Sequence, residues 1–170
     1  EKAVCRVEGL TVGSIDKGLL IFVGFSLEED DEKLKSMAKK IAHARLFEDE
    51  NGKMNLSVMD VKGSVLSISQ FTLYGDTRKG NRPSYDKAAK AEVAKEYYER
   101  FNAYLQEWIP VETGVFQAEM KIEAHNDGPV TLWYENWGTM IKVDGKALSL
   151  SLEVELKLKV DALREKNARI

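Results

Sequence analysis

Residues 18–25, Gly-Leu-Leu-Ile-Phe-Val-Gly-Phe, are apolar without interruption and carry glycine at the start and near the end. No other feature narrows the fold as much, because an unbroken apolar run of this length, bounded by turn residues, reads as a buried strand. It is also far too short to cross a bilayer. The spacing then changes. Glu28-Glu29-Asp30-Asp31-Glu32 supplies negative charge suited to a helix N-terminus, and Leu34, Met37, Ala38, Ile41, Ala42 and Arg45 follow with helical spacing. A continuous apolar run giving way within a few residues to a period near 3.6 makes the chain a mixture of strand and helix.

The remaining elements follow from the same reasoning. Residues 3–7 and 10–15 read as short strands, 48–53 as a turn centred on Asn51-Gly52, and 63–74 as a strand rich in β-favouring residues. A second helix is expected over about 86–108, with Val93, Ala94, Tyr97, Phe101, Tyr104, Leu105 and Trp108 on one stripe and Pro110 closing it. Two more strands are expected near 115–124 and 129–135. With 170 residues, 44% of them hydrophobic, a single domain with a substantial core is expected. The class is α+β: a mixed or antiparallel, barrel-like β-sheet with two main helices.

Beyond residue 140 the pattern is unusual. Asp144-Gly145 reads as a two-residue hairpin turn after the strand Met140–Val143. Leu148, Leu150, Leu152, Val154, Leu156, Leu158 and Val160 then alternate with polar residues, so a long amphipathic strand is expected, serving as a sheet extension or an oligomer contact. Asp161–Ile170 fits a short polar helix or a frayed end.

Several chemistries have no support. Cys5 is the only cysteine, so neither an intrachain disulfide nor a cysteine-rich metal site can form. A nucleophile elbow, a Walker loop, a dinucleotide fingerprint and a zinc-protease motif are all missing. Of the two histidines, His43 falls in the first helix and His125 beside Asn126, and both read as structural. An enzyme built on this sequence is expected to need no cofactor and no metal. The net charge of −3 argues against a globally basic nucleic-acid binder. Residues 78–95 nonetheless hold a local excess of four positive charges through Arg78, Lys79, Arg82, Lys87, Lys90 and Lys95, which suits phosphate contact or a solvated helix face. No charged leader precedes an apolar run, so a soluble, cytoplasmic protein with no membrane partner is expected.

Two segments remain that packing does not account for. Ser69-Gln70-Phe71-Thr72-Leu73 ends a strand and enters the turn-rich basic loop Thr77–Pro83, and Asn126-Asp127-Gly128-Pro129-Val130-Thr131 places Gly-Pro where a strand should continue. An X-Pro bond is the only peptide bond for which the cis form is cheap, although a trans turn is the ordinary reading of the dipeptide alone. Together these segments resemble the two signature motifs of the D-aminoacyl-tRNA deacylases, also called D-tyrosyl-tRNA deacylases. Leu46–Asn55, Thr77–Pro83 and Glu112–Phe116 resemble that family in order and spacing, over roughly residues 1–134.

The resemblance implies a homodimer with sites at the subunit interface, hydrolysing the ester between a D-amino acid, possibly glycine as well, and the 3′-terminal adenosine of tRNA. It implies a cis Gly128–Pro129 bond entering the partner's pocket and excluding L-substituents. Ser69, Gln70, Phe71 and Thr72 are then the catalytic residues; Met54, Phe116, Asn126, Gly128, Pro129, Val130 and Thr131 bind substrate; Arg78, Lys79 and Arg82 hold tRNA. A strand threonine without a neighbouring base is poorly activated as a nucleophile, so water assisted by the ribose 2′-hydroxyl is the preferred mechanism. The alternative is a non-catalytic RNA-binding or assembly module on the same scaffold. Two departures bear on that choice: the N-terminal hairpin around Val7–Val12 is short for the family, and residues 135–170 form a C-terminal extension to a deacylase-like domain at 1–134.

Overall fold

The computed structural model describes residues 2–136 and 139–145, and the amphipathic run 148–160 and the segment 161–170 lie outside them. The apolar run is a strand, β3 (Gly18–Phe25), at the heart of a five-stranded sheet. Before it come β1 (Lys2–Val7) and β2 (Leu10–Ile15), an antiparallel hairpin joined by Glu8-Gly9. After it come α1 (Asp31–Ala42), the short pair β4 (Phe47–Glu48) and β5 (Met54–Leu56), and β6 (Ser64–Ser69). Helix α2 (Ala91–Gln106), β7 (Val111–Thr113), β8 (Lys121–His125), β9 (Val130–Asn136) and β10 (Thr139–Gly145) complete the chain.

The large sheet has the order β7-β6-β3-β10-β9, with β3 parallel to β6, β6 parallel to β7, and β10 antiparallel to both of its neighbours. A smaller sheet, β2-β1-β8, is antiparallel throughout. Pairing is therefore mixed, and among the described residues the sheets stay separate rather than closing into a barrel.

Three layers result. Leu19, Ile21, Val23, Val65, Ile141 and Val143 present one face of the large sheet to Leu34, Met37 and Ile41 of α1 and to Phe101 and Leu105 of α2. On the opposite face Leu20, Leu66 and Ile68 pack against Ala3, Cys5 and Ile15 of the small sheet. Each of the buried Leu, Ile, Val, Met and Phe side chains contributes roughly 1.5–3 kcal/mol by leaving water. Helix α1 starts where its acidic run predicts: the Asp30 carboxylate accepts from the Lys33 amide at 2.8 Å, and Asp31 and Glu32 fill the first turn.

Four expectations are corrected. Phe71–Tyr74 is a short 3-10 turn and not the end of a strand. Helix α2 begins at Ala91: residues 86 and 87 form a turn closed by the Ala88 amide on the Tyr85 carbonyl, Ala88 bridges Ser26, and the Ala89 amide donates to the Phe25 carbonyl, which holds 88–89 out of the helix. Its buried stripe is Ala94, Tyr98, Phe101, Asn102 and Leu105, leaving Val93 and Trp108 exposed. Strand β8 is confined to 121–125, since the Gly114 amide turns away to the Ser67 carbonyl and Ala118 closes a turn on Val115. Asp144 and Gly145 do not turn; they lie in β10, opposite Thr131 and Val130 of β9. A strand bonded on both sides gains more from its two ladders than a local turn offers.

Candidate active site

At the C-terminal end of β3 and β6 a cleft of about 620 Å³ opens, lined by Val23, Gly24, Ser69, Gln70, Phe71, Ala94, Phe116, Gln117 and Met120, among others. None of the described residues that line it is titratable. Its floor depends on Gly24. A Cβ there would stand 3.0 Å from the Gln70 carbonyl oxygen and 3.2 Å from the Tyr74 ring, so a larger residue would have to push the chain leaving β6 away from β3 by a few tenths of an ångström. The approach is fixed by the Gln70 amide donating to the Val23 carbonyl at 2.8 Å. The backbone then coils: Leu73 donates to Gln70 and Gly75 to Thr72. Phe71 and Thr72 thus open a helical turn, where amides have no intrahelical acceptor and face outward.

The polar side chains at this point are few. Gln70 Nε2 donates to Thr72 Oγ1 at 2.5 Å, and no carboxylate or imidazole hydrogen-bonds that hydroxyl among the described residues. Behind the cleft, Tyr98 donates to the Ser67 carbonyl at 2.7 Å, and its ring stands 6.1 Å from Phe116, fixing one wall from α2. Burial pushes the Tyr98 hydroxyl up and, with Glu29 and Glu135 nearby, the Tyr74 hydroxyl well up, so both stay neutral across the physiological range. Cys5 is buried and its thiol is likewise raised by desolvation, as suits an inert core cysteine. Gln117 has φ of 62°, an uncommon left-handed conformation for a non-glycine residue in the cleft wall.

Below the cleft mouth, the basic loop is held at its base by Asp76 and Ser84, whose backbones exchange hydrogen bonds at 2.8 and 2.9 Å. Arg78 folds back onto the Asp76 carboxylate, which this pairing holds far below the ordinary range. Lys79 and Arg82 are exposed.

The second motif is elsewhere. The Gly128–Pro129 bond is cis, and Gly128 has φ of 131°, a region that glycine alone enters cheaply. Asn126 closes the loop: its Oδ1 accepts from the Val130 amide at 3.2 Å, and its Nδ2 donates to Thr131 Oγ1 at 3.3 Å. The loop feeds β9 where Val130 faces Gly145, level with the start of β3, whereas Ser69 is opposite Val23 near its end. Four residues along the strands and three strand spacings across separate the two motifs by about 20 Å. One chain does not bring them together. Asn126 instead lines a second cleft of about 530 Å³ with Lys2, Asp16, Lys17, Glu48 and His125. Met54 is exposed on β5 opposite Glu48, outside the Ser69 cleft, and Val130 is buried.

Sequence reasoning missed Gly24, Ala94, Gln117 and Met120. Gly24 is the one with a legible signal, a glycine inside a strand pattern, which marks close backbone approach.

The fold is thus a three-layer α+β domain with a cleft that no titratable residue lines among the described residues, a cationic loop, and a Gly-Pro loop at the far end of the sheet. The profile for "D-Tyr-tRNA(Tyr) deacylase" matches residues 1–135, and the chain belongs to that family. It is 53% identical over 135 residues to the D-aminoacyl-tRNA deacylase of Bacillus pumilus, covering 79% of this chain and 92% of that one. It is 54% identical over 130 residues to that of Persephonella marina, covering 76% and 88%. Among solved structures, a c-Myc DNA unwinding element binding protein superposes with a TM-score of 0.75 at 37% identity, over 79% of this chain and 93% of that one.

Proposed function

We propose that this chain hydrolyses the ester between a D-amino acid and the 3′-terminal adenosine of tRNA, as a chiral proofreader of translation in the cytoplasm. The observation that supports the reading is the turn that opens at Phe71, whose first amides lack helical acceptors, beside a cleft that no titratable residue lines among the described residues.

Hydrolysis needs a water to attack the ester carbonyl and donors to receive the oxyanion. The opening amides of the Phe71–Tyr74 turn supply such donors, and each well-placed donor contributes on the order of 3 kcal/mol. Thr72 already accepts from Gln70 and, among the described residues, has no base to take its proton, so it positions and does not attack. The substrate's own 2′-hydroxyl orients the water, and an aminoacyl ester is labile enough for positioning to suffice. Phe116 and Ala94 line the walls; Lys79 and Arg82 meet phosphates of the acceptor end.

Chiral selection requires Gly128–Pro129, and about 20 Å is too far for one chain to bridge. A second copy delivers the loop, with its main-chain carbonyls set against the Cα substituents; the protein works as a two-fold homodimer whose sites each draw on both chains. Residues 1–134 carry this machinery and 135–170 extend it. The test is hydrolysis of D-tyrosyl-tRNA against L-tyrosyl-tRNA by the purified protein. Loss of the D-ester alone is the expected result. Equal rates, or none from folded protein, would refute it in favour of RNA binding without catalysis.

A further inference from the structure

The inner face of α2 carries two polar residues where an amphipathic helix ordinarily presents apolar ones. Tyr98 is 4% exposed and Asn102 6%, set among the buried Ala94, Phe101 and Leu105. A polar group taken out of water costs stability unless it is fully hydrogen-bonded. Here the bonding is incomplete: Asn102 Oδ1 and the Oγ of Ser67, a fully buried residue of β6, find no partner among the described residues. Apolar side chains of similar volume would avoid that cost, so stability alone does not explain the cluster.

Its contacts lead to the cleft. The Tyr98 hydroxyl donates to the Ser67 carbonyl at 2.7 Å, and the Gly114 amide donates to the same oxygen at 3.0 Å. Asn102 lies four residues on, on the same helix face and beside the Tyr98 hydroxyl, where its carboxamide can steer the O–H bond toward Ser67. One carbonyl thus ties together α2, β6 and the chain leaving β7. Two residues beyond Ser67 stands Ser69, two beyond Gly114 stands Phe116, and one turn before Tyr98 stands Ala94; all three line the cleft. The junction is tight. A Cβ at Gly114 would stand 2.6 Å from Met120 Sδ and 2.9 Å from Ile68 Cδ1, both of which belong to cleft-lining residues.

We propose that Tyr98 and Asn102 are positioning residues of the hydrolytic reaction: acting through the Ser67 carbonyl, they hold the Ser69 wall and the Phe116 wall at the separation that sets the acyl group against the turn amides. The assignment rests on the deacylase reading of the cleft. Neither side chain lines the cleft itself. Since a misplacement of 1 Å costs about 100-fold, a wall that shifts by a few tenths of an ångström lowers the rate about three- to tenfold.

Steady-state hydrolysis of D-tyrosyl-tRNA by full-length Tyr98→Phe and Asn102→Leu, compared with their thermal stability by calorimetry, tests this. Both variants are expected to lower kcat about three- to tenfold with KM within about twofold of wild type. Asn102→Leu separates positioning from stability, because it exchanges an unpartnered acceptor for an apolar group of similar volume and should keep or raise Tm. Amide NMR spectra give a reading independent of hydrolysis. In Tyr98→Phe, which keeps the ring, the amides of Ser69–Thr72 should shift along with those of Ser67 and Gly114. A kcat within about twofold of wild type in both folded variants, a loss of kcat that only follows Tm, or unmoved Ser69–Thr72 amides would overturn the proposal. Shifted amides in a protein that hydrolyses no ester would refute the deacylase reading alone, so the two failures are distinguishable.

Discussion

Gly24→Ala tests the floor of the cleft with a single methyl group. The added Cβ would sit 3.0 Å from the Gln70 carbonyl oxygen, whereas ordinary contact begins at 3.4 Å. The Gln70 backbone must yield by the difference, 0.4 Å. It cannot yield freely, because its amide is bonded to Val23 and the ring of Tyr74 lies 3.2 Å from the same Cβ. Misplacing a catalytic group by 1 Å costs about 100-fold, so a proportionate shift lowers kcat by roughly sixfold. The assay is single-turnover hydrolysis of D-tyrosyl-tRNA, with Ile141→Val as a control that loosens the same sheet core by about 1 kcal/mol without touching the cleft. If Gly24→Ala hydrolysed the ester within twofold of wild type while folded, close approach of the Gln70 backbone would not govern the geometry of the site.

Three further outcomes follow from particular contacts. Replacing both Lys79 and Arg82 by alanine should weaken tRNA binding and flatten its dependence on log salt by about 1.4–1.8, at 0.7–0.9 per phosphate; Arg78→Ala should do less, because Asp76 already holds that guanidinium. Tyr98→Phe removes a buried bond to the Ser67 carbonyl and should cost about 1 kcal/mol, or roughly 2–4 °C in Tm by calorimetry. Asp31 has its carboxyl lowered first by the Tyr104 hydroxyl and then by Arg100, so its stabilisation is complete above the ordinary carboxylate value of 3.8 and drains away as pH falls through the lower folded one. Denaturant midpoints of wild type and Asp31→Asn should therefore differ near neutrality and converge in acid; a constant gap would refute the linkage.

What the sequence disclosed was whatever repeats with a period. Strand β3 and helix α1 follow directly from unbroken and 3.6-residue apolar patterns, and both lie where those patterns place them. The turn at Phe71–Tyr74 did not follow. Phe71, Thr72 and Tyr74 favour strands, yet the segment coils where the Gln70 backbone packs closely against Gly24 of β3. The start of α2 was misread for a similar reason, since Phe25 and Ser26 capture residues 88 and 89 through the backbone. Asp144-Gly145, a local turn signal, was overridden by ladders on two sides. The two motifs were recognisable as words, but their separation across the sheet required strand order. Strand β10, beyond the matched family segment, buries Ile141 and Val143 and joins β9 to β3.

Co-expression of two inactive variants reaches the central claim, that each site is built from two chains. In one, Gly24→Phe drives a ring against the Gln70 backbone and Tyr74 and displaces the cleft floor; in the other, Gly128→Val denies the Gly-Pro loop its positive φ. If the loop acts on the partner, mixed dimers carry one site in which both parts are intact, and random pairing restores about a quarter of wild-type D-tyrosyl-tRNA hydrolysis. If cleft and loop served the same chain, every site in the mixture would hold one defect, and activity would stay at the level of the separate variants.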